Sequence, residues 1–107
     1  MPSDRAQELE LLSDASNNAV VRMPGRRFPG LVIQGDSLNI LYRDLRELEE
    51  TLRTAHGTDS DMTESAKHMA DALHERLWWY ESALKDAGYQ ELPYVYSVGK
   101  PVESGDG

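Results

Sequence analysis

Three groups of residues in this chain have types and spacings that could do chemistry. Ser37 follows Gly35-Asp36 at the point where a strand-like stretch gives way to a helical one, and Asp71 and His74 stand on a later helical stretch. A serine at a strand end becomes a nucleophile when a nearby histidine takes its proton and a carboxylate orients that histidine. Glu64, His68, Asp71 and Glu75 recur at spacings of four, three and four. They share one polar sector of a helix, and carboxylates with imidazole can hold a divalent metal. Arg22, Arg26 and Arg27 cluster around two Pro-Gly pairs with Phe28 between them. Guanidinium forks suit carboxylate or phosphate, and neighbouring turns can add amide donors.

Each group has a plainer explanation beside the chemical one. Gly-Asp-Ser before an apolar helix is a turn and a helix cap, because a side-chain oxygen there accepts a hydrogen bond from an orphan amide. The acidic and histidine sector is also how a solvated helix face looks, and no second ligand cluster accompanies it. No metal and no cofactor are therefore expected. The arginines can pair with acidic neighbours, and the loop has no phosphate-binding glycine-lysine pattern, so nucleotide hydrolysis is not supported. His56 sits at a loop and reads as a surface residue.

Trp78 is the most anomalous side chain. Leu77 and Tyr80 lie within the apolar arc of their helix and Trp79 at its edge, whereas Trp78 projects to the other side, among Lys67, Asp71, His74 and Lys85. A tryptophan on a polar face needs cover, since its large apolar area is costly to leave wet. Cover comes either from the chain's own tail, with Tyr94 and Tyr96 as candidates, or from a partner, since tryptophan is enriched at binding hot spots.

The elements that position these groups follow from the pattern. Leu9 and Leu11 alternate with Glu8 and Glu10 over Gln7 to Leu12, the mark of a half-buried strand, and Leu12 breaks the alternation. Ser13 to Asn18 is a turn. Ala19 to Met23, with Val20 and Val21, is a second strand. Pro24-Gly25 and Pro29-Gly30 are turn signals. Leu31 to Gln34 is a third strand, whose continuous apolar start predicts burial on both faces. Asp36 or Ser37 then caps a helix whose stripe is Leu38, Leu41, Leu45, Leu48 and Leu52, ending near His56-Gly57. A longer helix over Met62 to Ala87 carries Met62, Ala66, Met69, Leu73, Leu77, Tyr80, Leu84 and Ala87 and stops at Gly88. The fold expected is α+β, in the order β-β-β-α-α: a three-stranded antiparallel meander packed against an antiparallel two-helix hairpin. One domain over residues 1–98 and a flexible polar tail over 99–107 complete the reading.

Composition narrows the function. The 107 residues carry a net charge of -8 and no cysteine. There is thus no disulfide framework, thiol nucleophile or thiolate metal site. Nonspecific nucleic-acid binding, which neutralises phosphates, is disfavoured. Residues 1–35 balance four acids against four arginines, while residues 36–88 hold twelve acids against six bases. No apolar run reaches the roughly 18 residues of a membrane span, and the amino-terminal residues have acids where a signal peptide has an apolar core. A cytoplasmic location and no membrane partner are expected.

The run NNAVVRMPGRRFPGLVIQGDSL over Asn17 to Leu38 resembles the signature of a small bacterial, largely actinomycete, domain family of unknown function. Its members share an asparagine-led strand, a Pro-Gly-Arg-x-Phe-Pro-Gly loop and a Gln-Gly-Asp-Ser-Leu turn in this order. The resemblance covers Leu9 to Leu52 closely and the second helix loosely. It implies a compact cytoplasmic domain and brings no catalytic residues. Gly35-Asp36-Ser37-Leu38 also resembles the nucleophile block of the GDSL esterases, and Asp71-Ala72-Leu73-His74 their Asp-x-x-His block. The glycine and Gly-x-Asn-Asp blocks that build the oxyanion hole of those enzymes have no match here.

The function expected is a non-enzymatic protein-interaction module of adaptor or immunity type. It would bind a protein partner or a second copy through Trp78 and Trp79 or through the loop of Arg22, Arg26, Arg27 and Phe28. The alternatives are an accessory domain holding an anion at the three arginines and a small hydrolase using Ser37, His74 and Asp71.

Overall fold

The computed structural model describes residues 8–14 and 18–102. The expected strand start at Gln7, the turn residues Ala15 to Asn17 and the tail from Glu103 lie outside the described residues. Three strands, β1 (Glu10–Ser13), β2 (Ala19–Arg22) and β3 (Gly30–Val32), precede two helices, α1 (Gly35–His56) and α2 (Asp61–Asp86). The β-β-β-α-α order and the α+β class are those the sequence predicts. The chain divides into two compact units between Gln34 and Gly35.

In the first unit β2 is central and antiparallel to both neighbours. Glu10 stands opposite Arg22 and Leu11 opposite Val21, after which the register slips so that Ser13 meets Val20. Leu12 is thus the extra residue of a β-bulge, which explains the break in alternation that its sequence position shows. Val21 is the buried residue of the sheet. The Arg26 amide donates to the Met23 carbonyl at 3.1 Å, and Gly25 has φ of 80°. That is a type II turn, with proline at its second position and glycine at the third, where positive φ is required. The expected burial of β3 on both faces is not found: Leu31 and Val32 are exposed. As an edge strand, β3 is shielded within the sheet by β2 alone, and an apolar run reports composition rather than cover.

In the second unit the helices form an antiparallel hairpin, with Tyr42 meeting His74 and Arg46 meeting Asp71. Asp36 Oδ1 accepts the Ser37 amide at 2.8 Å, satisfying one first-turn donor. Gly57, at φ of 89°, ends α1. Ser60 caps α2 by accepting the Thr63 amide, and Thr63 Oγ1 donates back to the Gly57 carbonyl at 2.9 Å. These bonds tie the interhelix loop to the helix it starts. At the far end Gly88 donates to the Lys85 carbonyl and Tyr89 to that of Leu84, a Schellman stop.

The seam between the helices differs from the predicted stripes. Its fully covered apolar side chains are Ala66, Ala70 and Leu77, joined by buried Asn39, Glu49, Thr63 and Glu81. Leu41 and Leu48 of the leucine stripe remain 52% and 48% exposed, and Met62 and Met69 are each 53% exposed. The small side chains of Ala66 and Ala70 let the helices approach along a line rotated away from the leucines, which places polar groups between them.

Candidate functional site

The segment after α2 returns along one flank of the hairpin and is fastened there by side chains of both helices. Glu81, only 8% exposed, accepts hydrogen bonds from Tyr94 Oη at 2.6 Å, Ser97 Oγ at 2.6 Å and the Val98 amide at 2.9 Å. A buried carboxylate with three donors is satisfied without a cationic partner. Burial, together with the bond to Glu81, holds the Tyr94 phenol well above its ordinary range. Arg43 reaches the Tyr96 carbonyl at 3.3 Å and lies over that ring.

Two turns earlier on α2, His74 Nε2 lies 3.0 Å from the carbonyls of both Val98 and Gly99. Its Nδ1 is 3.4 Å from the Arg46 guanidinium, which can only donate. The Nε2–H tautomer therefore satisfies both ends of the ring, donating to the segment and accepting from Arg46. Arg46 is the hub of this region. It bonds Tyr42 Oη at 3.2 Å, Glu49 at 2.8 Å and Asp71 at 2.9 Å. Burial alone would lower its proton affinity, but these three bonds outweigh it and the guanidinium is held above its ordinary range. Asp71 is lowered in turn: burial works against its charge, and the bonds from Lys67 and Arg46 prevail.

Beyond this hub the helices and the returning segment enclose an open cleft of about 770 Å3. Lys67, Asp71, His74, Glu75, Trp78 and Trp79 of α2 line it, together with Lys100, Pro101 and Val102 of the returning segment. A volume of this order suits a short peptide or a small molecule. Trp78 is half-buried and Trp79 is 58% exposed. The tail does approach Trp78, but through Lys100 to Val102; Tyr94 and Tyr96 are engaged by Glu81 and Arg43 instead.

The predicted chemical groups are distributed differently. Asp71 and His74 do meet, both at Arg46. Ser37 is in the first turn of α1, and the Tyr42 that touches His74 is five residues further along, about 7.5 Å of helix rise. Both His74 nitrogens are engaged elsewhere, so the two do not form a nucleophile and base. Asp71 of the metal quartet is taken by Arg46 and Lys67, and no group of three or more His, Asp or Glu suited to a metal occurs among the described residues. In the sheet unit Arg22 bonds Glu10 at 2.7 Å and the Arg26 carbonyl at 3.3 Å. Arg27 lies 5.1 Å above the exposed Phe28 ring. The arginine cluster is thus reduced to Arg26 and Arg27 as available donors.

Arg46 and Glu81 were not singled out by sequence. Glu81 carries a usable signal, since it falls between Leu77 and Leu84 at the edge of the apolar arc, where a carboxylate needs donors. Arg46 is flanked by Tyr42 and Glu49 at helical spacing but looks like any surface arginine.

Residues 4–94 match the family model of DUF6959, described as a family of unknown function. The chain belongs to that family. The DUF6959 match takes in the whole sheet, both helices and the segment as far as Tyr94, and so includes Glu81, His74 and both tryptophans. No curated protein and no solved structure matches this DUF6959 chain. Among its described residues no helix is long and apolar enough to cross a membrane.

Proposed function

We propose that this protein is a non-enzymatic interaction module that receives a partner at the Trp78–Trp79 cleft. The observation that carries this reading is the pairing of two adjacent tryptophans, one half-buried and one largely exposed, in the lining of an open cleft. Tryptophan contributes a large, stiff apolar surface together with one N–H donor, the combination found at binding hot spots. Lys67, Lys100, Asp71 and Glu75 in the same lining supply both signs of charge, which favours orientation of a partner over nonspecific adhesion. The engaged state of His74 and its separation from Ser37 support binding rather than hydrolysis.

The test is a tagged pull-down from native lysate, wild type beside Trp78→Asp, with masses read on intact complexes. A foreign protein present at fixed stoichiometry and lost in a folded Trp78→Asp variant is the expected result. Retention of that protein by both Trp78→Asp and Trp79→Asp would remove the cleft from its binding.

A further inference from the structure

The two long flanks of the helical hairpin are treated differently by the chain. One carries Arg43, His74 and Glu81 and is occupied by the segment from Tyr94 to Gly99. Projection at 100° per residue turns Leu38, Leu41, Leu45, Leu48 and Leu52 of α1 away from Arg43. It likewise turns Met62, Met69 and Leu73 of α2 away from Asp71 and His74. Because the helices are antiparallel, the two stripes fall on the same flank, opposite the segment. No Asp, Glu or Lys projects into either stripe, and Arg76 at the border is folded back onto the Ala72 carbonyl at 3.0 Å.

We propose that this flank is where two copies of the chain pair, face to face, as a four-helix bundle. Leu41, Leu48, Met62 and Met69 stay about half exposed there, Leu38, Leu45, Leu52 and Leu73 are partly covered, and the apolar residues fully buried in the hairpin's own seam are Ala66, Ala70 and Leu77. The size is sufficient: 22 residues of α1 rise about 33 Å, and two adjacent helices present a face roughly 18 Å wide. That amounts to about 600 Å2 per copy and about 1,200 Å2 for the pair, the lower end of stable interfaces. The chemistry favours a like surface. An uncharged stripe meets its own copy without stranding a charge, whereas a charged partner would find no counterpart on it. The acidic side chains responsible for the net charge of -8 project elsewhere on the helices, so close approach of two copies does not oppose them directly.

The experiment is sedimentation equilibrium over a wide concentration range on wild type, Leu48→Glu, Met69→Ser and Ile40→Glu. Wild type is expected at twice the 12.0 kDa chain mass. Leu48→Glu is expected to be a monomer with its helical circular dichroism kept. Met69→Ser is the milder change and decides the matter if Leu48→Glu fails to fold; it should weaken pairing at least tenfold. Ile40→Glu alters an exposed apolar residue off this flank and should leave the dimer intact. A monomeric wild type, or pairing unchanged in Met69→Ser, overturns the proposal. Trp78→Asp lies on the other flank and leaves the mass unchanged, so failure of the cleft and failure of the dimer are separately visible.

Discussion

Gly35 and Tyr80 are in such close apposition that a Cβ at position 35 would lie 2.2 Å from Tyr80 Cζ. The glycine at the start of α1 is therefore a seat for an aromatic ring from the end of α2. That explains the first letter of the Gly-Asp-Ser-Leu run without a nucleophile, as the Asp36 bond to the Ser37 amide explains the second. Gly35→Ala should cost about 1 to 3 kcal/mol by overpacking. Tyr80→Ala removes the ring, so in that background Gly35→Ala should cost far less; denaturant titration of the four chains measures the coupling. Strictly additive losses would show that the ring does not rest on Gly35.

Glu81 should be the residue that holds the returning segment. Glu81→Ala strips acceptors from Tyr94, Ser97 and the Val98 amide. A loss of about 2 to 3 kcal/mol is expected, since donors to a charged acceptor are left unpaired. Amide exchange at Val98 should quicken more than exchange at Ala70 in the seam. Equal quickening at both would mean that Glu81 supports the hairpin as a whole.

Alkali should act through the tyrosines. The Tyr94 proton affinity is raised by burial and by Glu81, and that of Tyr80 by burial, Asp36 and Tyr89. Because the folded-state values lie above the unfolded one, their contribution is full below about pH 10 and declines as pH rises beyond it. Stability measured against pH should fall on the alkaline side. Tyr94→Phe should flatten that slope, and an unchanged slope would show that Tyr94 is not protected.

Arg46→Ala should destabilise the hairpin by about 2 kcal/mol, because Glu49 is 5% exposed and would keep only Arg53. Partial exposure of Arg46 keeps the figure below that of a fully buried pair. Asp71 would lose a partner as well. Its lowered proton affinity gives stability that is present above the ordinary carboxylate range and lost as pH falls through the folded value. In Arg46→Ala this acid dependence should shrink. Arg46→Lys should recover little, since one ammonium cannot serve Tyr42, Glu49 and Asp71 together; full recovery would contradict the hub.

Much of the local structure is written in neighbouring residues. Pro24-Gly25 makes its turn, Ser60 its cap and Gly88 its stop, because each depends on backbone conformations and hydrogen bonds within a few positions. The element order follows from those signals and from the two hydrophobic periods. The placement of Lys67, Asp71, His74 and Trp78 on one helix sector was also legible, because helical spacing alone groups them.

Tertiary structure decided which side of each helix became the seam. The leucine stripe predicts the packed face, yet the alanines of α2 allow closest approach along Asn39, Glu49 and Leu77, and that choice depends on how two surfaces fit. It also decided the fate of the tail. Glu81 and His74 catch Val98 and Gly99 from 17 to 25 positions away, leaving Lys100 to Val102 rather than Tyr94 or Tyr96 to line the cleft of Trp78. Periodicity marks a residue's direction on its own element; which distant donor reaches it is settled only when the chain returns.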